Sequence, residues 1–282
     1  MSAPIGRVLI IGGSDSGGGA GVQADIKAVL RAGAHGCTAL TALTAQNTLG
    51  VQDILAVPSA FVAAQMASVL DDIGADIAKT GMLHRTEIIE IVAARLADYK
   101  TLPLVVDPVM VATSGDRLLD DGAADALKVL LVGRAFLVTP NLPEAALLTG
   151  REVATPDDMK RAADALMDGG AQAALIKGGH GEGKVVNDVL ATQAGFFVFE
   201  HERLDTANTH GTGCTLAAAI AGLLAAQLAE AGGGSGAEAS GGSGGSEGGL
   251  DLPKATQTAL DYVHQALKNA PNLGRGNGPL RH

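Results

Sequence analysis

The sequence predicts a three-layer α/β/α fold around a mostly parallel sheet, with an antiparallel hairpin at one edge. Short β-branched runs alternate along the chain with longer segments of helical period. Most of these runs are apolar on both faces, as strands are when helices cover both sides of a parallel sheet. Near the C-terminus the alternation changes, because two strand-like runs are separated only by a short polar turn.

Six apolar runs are the predicted parallel strands. They are 8–11 (VLII), 37–40 (CTAL), 76–80 (DIAKT), 104–107 (LVVD), 136–139 (FLVT) and 173–177 (AALIK). Right-handed crossovers would join them, so that their carboxyl ends share one edge of the sheet. The segments 184–191 and 195–200 are the predicted edge hairpin.

Two segments show clear helical signals. The segment 59–73 carries one apolar stripe, and 155–168 begins with an N-cap, a proline and two acids before it stops at a glycine pair. The stripe consists of Val62, Met66, Val69, Leu70 and Ile73; the start and stop signals are Thr155, Pro156, Asp157, Asp158, Gly169 and Gly170.

Two further helices are predicted at about 211–230 and 253–268. The segment 231–249 joins them, is rich in glycine and serine, and has no apolar period. We expect a flexible loop there and assign it no chemistry. The whole chain, 1–282, is then interpreted as one α/β domain with this insert.

Composition excludes several classes of protein. With 282 residues, 47% of them hydrophobic, the chain can bury one large α/β core or two smaller ones. Its formal net charge of −10 offers no basic field to nucleic acid or to an anionic membrane surface. A bound polyanion would therefore need local devices, such as a helix N-terminus, a single lysine or a divalent cation.

The two cysteines, Cys37 and Cys214, lie far apart and lack the paired spacing of a zinc site. This pattern is typical of a reducing compartment. The N-terminal segment has no long apolar run of a signal peptide, and no stretch is expected to reach the roughly 20 apolar residues of a membrane span. These features predict a cytoplasmic protein.

Residues 208–222 (NTHGTGCTLAAAIAG) place a Gly-x-Gly turn directly before an alanine-rich helix. The first N–H groups of a helix lack partners within it, and the helix dipole favours negative charge there. Gly211, Thr212 and Gly213 are therefore a candidate anion cradle, with an ordinary glycine-rich helix start as the alternative. We expect Cys214, in the first turn, to have a lowered pKa, and Cys37 to be a buried core thiol.

A second glycine-rich stretch, residues 12–28 (GGSDSGGGAGVQADIKA), also lies between a strand and a helix. It contains a weak dinucleotide fingerprint, but the acid expected about 20 residues later is missing, which disfavours NAD. The sequence contains no P-loop motif. Asp25 and Gln46 are suitable donors and acceptors for a polar heterocycle, unless they are only solvated loop residues.

Four short motifs follow predicted strands: KTGM (79–82), DPVM (107–110), TPNLPEA (139–145) and KGGH (177–180). Open α/β sheets bind ligands at this edge, and a nucleotide with magnesium needs carboxylates for the metal and a cation for the phosphates. Taken singly, Asp107 could be a turn residue, Asn141 and Glu144 a capping pair, and Lys177 a solvated charge.

Together these motifs resemble a known family. In order they are GSDSGGGAGVQADIKA, TALTAQNTLGV, KTGML, DPVMVATSGDRLL, TPNLPEA, KGGH and NTHGTGCTLAAAIA. They are similar to the hydroxymethylpyrimidine/phosphomethylpyrimidine kinases of thiamine biosynthesis, which are ribokinase-like, over most of residues 5–230. The resemblance implies phosphorylation of 4-amino-5-hydroxymethyl-2-methylpyrimidine with ATP and Mg²⁺, and then of its monophosphate to the diphosphate.

The resemblance also implies roles for individual residues. Those matching the pyrimidine pocket are Asp25, Gln46, Met82 and Val109. Those matching the nucleotide site are Asn141, Glu144, Lys177 and Thr212, with Asp107 and Glu144 at the metal. Those matching the catalytic anion hole are Gly211, Thr212, Gly213, Cys214 and Lys177, and Cys214 stands where sugar kinases have an aspartate base. It either takes the proton of the acceptor hydroxyl or shapes the anion hole.

The sequence departs from the family pattern at three places. Ser16 and Gly17 replace a Pro-Ser or Ser-Ser pair, Arg275 stands where a histidine is usual, and the segment 231–249 is foreign to the pattern. Relatives are often dimers, so the resemblance allows a homodimer. With 2% aromatic residues and no tryptophan, a stacking cage for the ring is excluded.

Two other functions remain open. A pyridoxine or pyridoxal kinase would act on a similar hydroxymethyl group on a heteroaromatic ring. A non-catalytic pyrimidine-binding protein could use the same fold, although it would have no need of Lys177, Glu144 and the Gly-Thr-Gly-Cys turn.

Overall fold

The computed structural model describes residues 5–112, 114–116, 118–120, 122–232 and 250–282. Within them one nine-stranded sheet has the order β3-β2-β1-β4-β5-β6-β7-β8-β9. The strands are β1 (Arg7–Asp15), β2 (His35–Asn47), β3 (Gly50–Ala56), β4 (Ile77–Thr80), β5 (Leu104–Val106), β6 (Leu137–Val138), β7 (Ala174–Ile176), β8 (Val185–Thr192) and β9 (Gly195–Glu202).

Eight α-helices and one 3-10 turn complete the described part of the chain. They are α1 (Gly21–Arg31), α2 (Ser59–Leu70), α3 (Thr86–Ala97), α4 (Ala123–Leu130), the 3-10 turn Val132–Arg134, α5 (Leu142–Thr149), α6 (Pro156–Asp168), α7 (Thr212–Glu230) and α8 (Leu252–Lys268). As predicted, neighbouring strands are parallel along the part of the sheet ordered β2-β1-β4-β5-β6-β7. Strands β8 and β9 form the antiparallel edge hairpin.

The helices form a layer on each face of the sheet. One core lies between the sheet and α2 to α6, and the other lies between the sheet and α1, α7 and α8. Strands β1 and β4 contribute to both cores, since alternate residues point to opposite faces: Leu9 and Ile11 face one side, and Val8 and Ile10 face the other. This confirms the three-layer prediction and sets the carboxyl ends of β1, β4, β5, β6 and β7 along one edge.

The strand β3 was not predicted. It pairs antiparallel with β2, which runs far past the predicted 37–40, with Leu43 opposite Leu55. The pattern GVQDILA has no clean alternation of apolar and polar residues, because several of its side chains are exposed on this outer strand. Only pairing with the long β2 defines it as a strand.

The apolar stripe predicted for 59–73 is partly wrong. Val62 and Met66 are buried, but α2 ends at Leu70 and Ile73 lies beyond it with 41% of its surface exposed. The N-terminal signals of α6 are confirmed, since Thr155 and Asp158 form a reciprocal capping box.

A second correction concerns the membrane. The sequence analysis expected no segment long enough to cross a bilayer, yet α7 is long and apolar enough by length and composition. Most of this helix is buried between the sheet, α1 and α8, as the core helix of a soluble domain is. Most of the segment 231–249, expected to be flexible, lies outside the described residues.

Candidate active site

The two glycine-rich turns lie against each other at the carboxyl edge of the sheet. Gly211 has a φ of +82°, and a Cβ placed on it would overlap the carbonyl oxygen of Gly19. A Cβ on Gly19 would in turn lie 2.5 Å from Cδ2 of His210. Backbone therefore packs on backbone here, which only glycine allows at position 211. The turns before α1 and α7 are therefore in direct contact.

A buried carboxylate ties the first turn together. Asp15 Oδ1 accepts from the N–H of Gly17 at 2.7 Å, and Oδ2 accepts from the N–H groups of Gly19 at 2.9 Å and Ala20 at 2.8 Å. Oδ2 also lies 2.9 Å from Nε2 of His210, the residue that precedes the second turn. Burial alone would raise the pKa of Asp15, but His210 and the amide donors outweigh it and lower the pKa.

The start of α7 has the geometry of an anion site. Gly211 is its N-cap and supplies no side-chain cap, while the hydroxyl of Thr212 donates to the carbonyl of Thr209 at 2.7 Å. By helix geometry the N–H groups of Gly213 and Cys214 have no acceptor within the helix. They remain free to bind an anion at the point where the two turns meet.

The prediction of a lowered thiol pKa was wrong. Burial raises the pKa of Cys214 to about 12, and the charges of Asp25 and Asp107 act in the same direction. The nearby ammonium of Lys79 and the N–H of Gly21, which donates to the sulfur, only partly oppose this rise. At neutral pH the thiol is therefore protonated, and it is a hydrogen-bond donor rather than a base. Cys37 is buried, as expected.

Asp25, one of the predicted pyrimidine residues, lies inside α1 and is 1% exposed. Its Oδ2 accepts from the ammonium of Lys79 at 2.8 Å, and its Oδ1 is buried with no hydrogen-bond partner among the described residues. Burial raises the pKa of Asp25 to about 6, although the charge of Lys79 opposes the shift. Both members of the pair are therefore charged at neutral pH.

The other predicted pyrimidine residues lie beside the first turn. Gln46 receives a hydrogen bond from Thr44 on Oε1 at 2.9 Å, and its Nε2 lies 3.5 Å from Nε2 of His210. Met82 packs in a small apolar cluster with Val109, and a Cβ on Gly13 would lie 2.5 Å from the Met82 methyl group. The structure thus places Gln46 in polar contacts beside the first turn, and Met82 and Val109 together in an apolar cluster near it.

On the opposite side, Lys177 and Asp107 form a second buried pair. The ammonium donates to Asp107 Oδ1 at 2.9 Å, and the hydroxyl of Thr139 donates to the same oxygen at 3.2 Å. A Cβ on Gly213 would lie 3.1 Å from the Lys177 nitrogen, so this pair borders the anion site directly. Lys177 is therefore not a solvated charge.

Burial would lower the pKa of Lys177, but the charges of Asp107 and Glu144 outweigh it and raise the pKa. Burial would raise the pKa of Asp107, and the charges of Lys177 and Lys79 instead lower it. Asp107 is thus ionised at neutral pH. Its Oδ2 is buried without a hydrogen-bond partner within the described part of the chain.

Asn141 and Glu144 form a capping box at the start of α5. The N–H of Glu144 donates to Asn141 Oδ1 at 2.9 Å, and the N–H of Asn141 donates to Glu144 Oε2 at 2.8 Å. The capping alternative is therefore confirmed, and it leaves the proposed nucleotide role untested. Burial raises the pKa of Glu144 to about 7, against the opposing charge of Lys177.

The carboxylates Asp107 and Glu144 fit a magnesium ion by chemistry. Both are hard oxygen donors, and the charge of Asp107 contributes to the raised pKa of Glu144. Asp107 Oδ2 is a buried acceptor without a partner among the described residues. Among the described residues no group of three or more His, Cys, Asp or Glu side chains is placed to hold a metal. Mg²⁺ commonly needs only one or two protein carboxylates when phosphates and waters complete its shell.

Sequence reasoning missed three residues of this site: Asp15, Lys79 and His210. Asp15 and His210 are separated by 195 positions and Lys79 and Asp25 by 54, so no local pattern shows that they pair. One signal did exist, because Lys79 lies within the buried strand β4 at the start of KTGM, and a charged side chain at a buried position needs a partner.

A family model described as phosphomethylpyrimidine kinase matches residues 15–233. The thiamine biosynthesis bifunctional protein ThiED of Geobacter sulfurreducens is 46% identical over 279 residues, which are 99% of this chain and 52% of that protein. The chain therefore spans about half of that relative's length.

Two further similarities extend over nearly the whole length of both partners. The hydroxymethylpyrimidine/phosphomethylpyrimidine kinase of Bacillus subtilis is 40% identical over 98% of this chain and 94% of that protein. An ADP complex of Bacillus subtilis pyridoxal kinase superposes with a TM-score of 0.82 at 34% identity, covering 99% of this chain and 97% of the other.

Proposed function

The chain belongs to the phosphomethylpyrimidine kinase family, and from that premise we propose that it transfers the terminal phosphoryl group of ATP to 4-amino-5-hydroxymethyl-2-methylpyrimidine and then to the monophosphate, for thiamine biosynthesis. One observation supports this function above the others. The start of α7 meets the first glycine turn through Gly211 and Gly19, so that a phosphoryl group bound at one turn and a heterocycle bound at the other would lie side by side.

The acceptor is assigned to the side formed by α1 and β2. Gln46 and the free oxygen of Asp25 offer hydrogen bonds to the ring and its amino group, and Met82 and Val109 offer apolar contact. Since the chain has no tryptophan, hydrogen bonds rather than stacking must select the ring.

The nucleotide is assigned to the opposite side. Lys177 would contact the terminal phosphates, the amides of Gly213 and Cys214 would hold the transferred phosphoryl group, and Asn141 and Thr212 would line the approach. Asp107 and Glu144 would hold Mg²⁺, which neutralises charge on the triphosphate when bound. Catalysis then rests mainly on position and charge stabilisation, as phosphoryl transfer requires.

In this arrangement the acceptor oxygen bonds to the γ-phosphorus as the bond from that phosphorus to the ADP oxygen breaks. A thiol with a pKa of about 12 cannot take the hydroxyl proton at neutral pH. Cys214 instead belongs to the anion hole, where its S–H and N–H face the phosphoryl group. The hydroxyl proton leaves late, as expected for a loose transition state, and passes to an oxygen of the transferred phosphoryl group.

The proposed function is tested by incubating the protein with ATP, Mg²⁺ and the hydroxymethylpyrimidine, and by following the mono- and diphosphate separately. We expect the monophosphate to appear first and to be converted to the diphosphate. ATP consumption that does not depend on the pyrimidine would contradict the proposal.

Pyridoxal kinase is the second candidate, because the solved structure of 34% identity is a pyridoxal kinase. Competition of the pyrimidine and pyridoxal at equal concentration decides between them through kcat/KM.

We further propose one catalytic domain over residues 1–282, a cytoplasmic location and a homodimer. The oligomeric state is to be measured by sedimentation.

A further inference from the structure

The site contains a buried lysine to which the sequence analysis assigned no role. Lys79 lies within the buried strand β4, and none of its surface is exposed. Its ammonium donates to Asp25 Oδ2 at 2.8 Å. Burying an ammonium group is costly unless it is paired, so this position needs a reason that the apolar core does not supply.

The surroundings of the ammonium make its cost greater. Lys79 lies on the face of the sheet that α1 and α7 cover, and its charge acts on the thiol of Cys214 in the first turn of α7. A Cβ on Gly81 would lie 3.0 Å from Nζ of Lys79, so the backbone of Gly81 lies close to the ammonium. The positive ends of both helices point to this region, which disfavours a cation and favours anions.

Asp25 is the carboxylate that accepts a hydrogen bond from this ammonium, and its two oxygens differ in their contacts. Its Oδ2 is used by Lys79, while Oδ1 is inaccessible and has no partner within the described residues. Asp107 shows the same division, with Oδ1 bound by Lys177 and Oδ2 unpartnered. Two lysine–aspartate pairs therefore flank the turn 211–214, and each leaves one buried carboxylate oxygen without a hydrogen-bond partner among the described residues.

We propose that Lys79 is the positioning residue of the acceptor side: it fixes Asp25 with one oxygen bound and the other directed to the acceptor, as Lys177 fixes Asp107 on the nucleotide side. This inference rests on the proposed function, because it assumes that a hydroxymethyl heterocycle binds beside the two glycine turns. A buried carboxylate oxygen without a hydrogen-bond partner costs free energy, and an amino or hydroxyl donor of the acceptor would remove that cost.

Four variants test the inference: Lys79→Met, Asp25→Asn, the double variant Lys79→Met/Asp25→Asn, and Lys177→Met. Kinetics are measured for the acceptor and for ATP, and stability by the urea midpoint. We expect Lys79→Met to lower kcat/KM for the acceptor by roughly 10- to 100-fold, the usual effect of losing a hydrogen bond to a charged group, and to change the KM for ATP less than threefold. Lys177→Met should show the opposite split.

The double variant separates positioning from a purely structural role. Removing both charges leaves no unpaired buried ion, so the urea midpoint should return toward that of the wild type, whereas kcat/KM for the acceptor should stay low. Recovery of both quantities would overturn the inference, as would equal effects of Lys79→Met on both substrates. Arg7→Gln, which breaks the Arg7–Asp76 pair at the amino end of β1, is the control: it should shift the midpoint without changing the kinetic split.

Failure of the proposed function is seen in the wild type alone. If the wild type phosphorylates pyridoxal instead of the pyrimidine, the function is corrected and the same variants are measured with pyridoxal. Isothermal titration of the accepted substrate gives a readout without turnover. Weaker binding by Lys79→Met supports the inference, and unchanged binding together with unchanged kcat overturns it.

Discussion

Gly211 and Gly19 touch through their backbones, although 192 positions of chain separate them (211 − 19). This contact brings the N-terminus of α7 against the turn that precedes α1. Two helix starts thereby lie side by side, and each contributes partial positive charge and N–H groups. The proposed site for a phosphoryl group beside a heterocycle depends on this contact.

The contact predicts that Gly211→Ala destroys the site. A methyl group would displace the Gly19 carbonyl, and the shift would move the anion-binding amides, so we expect kcat to fall about 10²- to 10³-fold. Kinetics and the urea midpoint measure both effects. Gly33→Ala is the matched control: its φ is +84°, but no atom lies within 4 Å of the added Cβ. It should lose about 1–2 kcal/mol of stability from strain and keep its activity.

The raised pKa of the Cys214 thiol predicts slow alkylation. Because the pKa is about 12, the rate of reaction with iodoacetamide should rise about tenfold per pH unit from pH 7 to pH 10, without a plateau. The rate is measured in a Cys37→Ala background, so that one thiol reports. A plateau near pH 8 would show an activated thiolate and restore the base role.

A protonated thiol also predicts the kinetics of substitutions at this position. Cys214→Ser keeps a donor at the anion hole and should retain more turnover than Cys214→Ala. The alanine variant should lose less than the roughly 10²- to 10⁴-fold that a general base contributes. Circular dichroism checks that both variants fold, and a larger loss in the alanine variant would contradict the neutral role.

Asp15 predicts a pH dependence of stability. Its pKa is lowered in the folded state, so its stabilising contribution is fully present above the unfolded value of 3.8 and is lost as the pH falls through the lower folded pKa. Asp15→Asn should therefore be less stable than the wild type at pH 7, by about 1–3 kcal/mol, and the difference should shrink below about pH 4. Urea unfolding across pH measures it, with exposed Asp53→Asn as the control.

Gln46 predicts a split between the two substrates. Gln46→Ala should raise the KM for the pyrimidine by up to roughly tenfold, the effect of one neutral hydrogen bond, and should raise the KM for ATP less. Gln52→Ala is the matched control, because Gln52 lies on the neighbouring strand β3 and bonds only to the carbonyl of Gly50 among described partners. Equal increases for both substrates would place the acceptor elsewhere.

The sequence by itself determined the parts that depend on neighbours along the chain. The α/β/α class, the existence of the six parallel strands, the Thr155 cap, the edge hairpin and the glycine turn before α7 all carry local signals of composition and period. The order of the motifs was enough to identify the family. The capping alternative for Asn141 and Glu144 was also visible from their spacing of three residues.

Tertiary structure alone decided the electrostatics. The thiol of Cys214 was expected to be acidic from its helix position, but burial beside Asp25 and Asp107 outweighs the helix dipole. Lys79 finds Asp25, and His210 finds Asp15, only when the sheet brings distant segments together. Desolvation and charge pairing depend on distance in space, which the order of residues does not give; for the same reason α7, apolar enough for a membrane, is known as a core helix only from what packs around it.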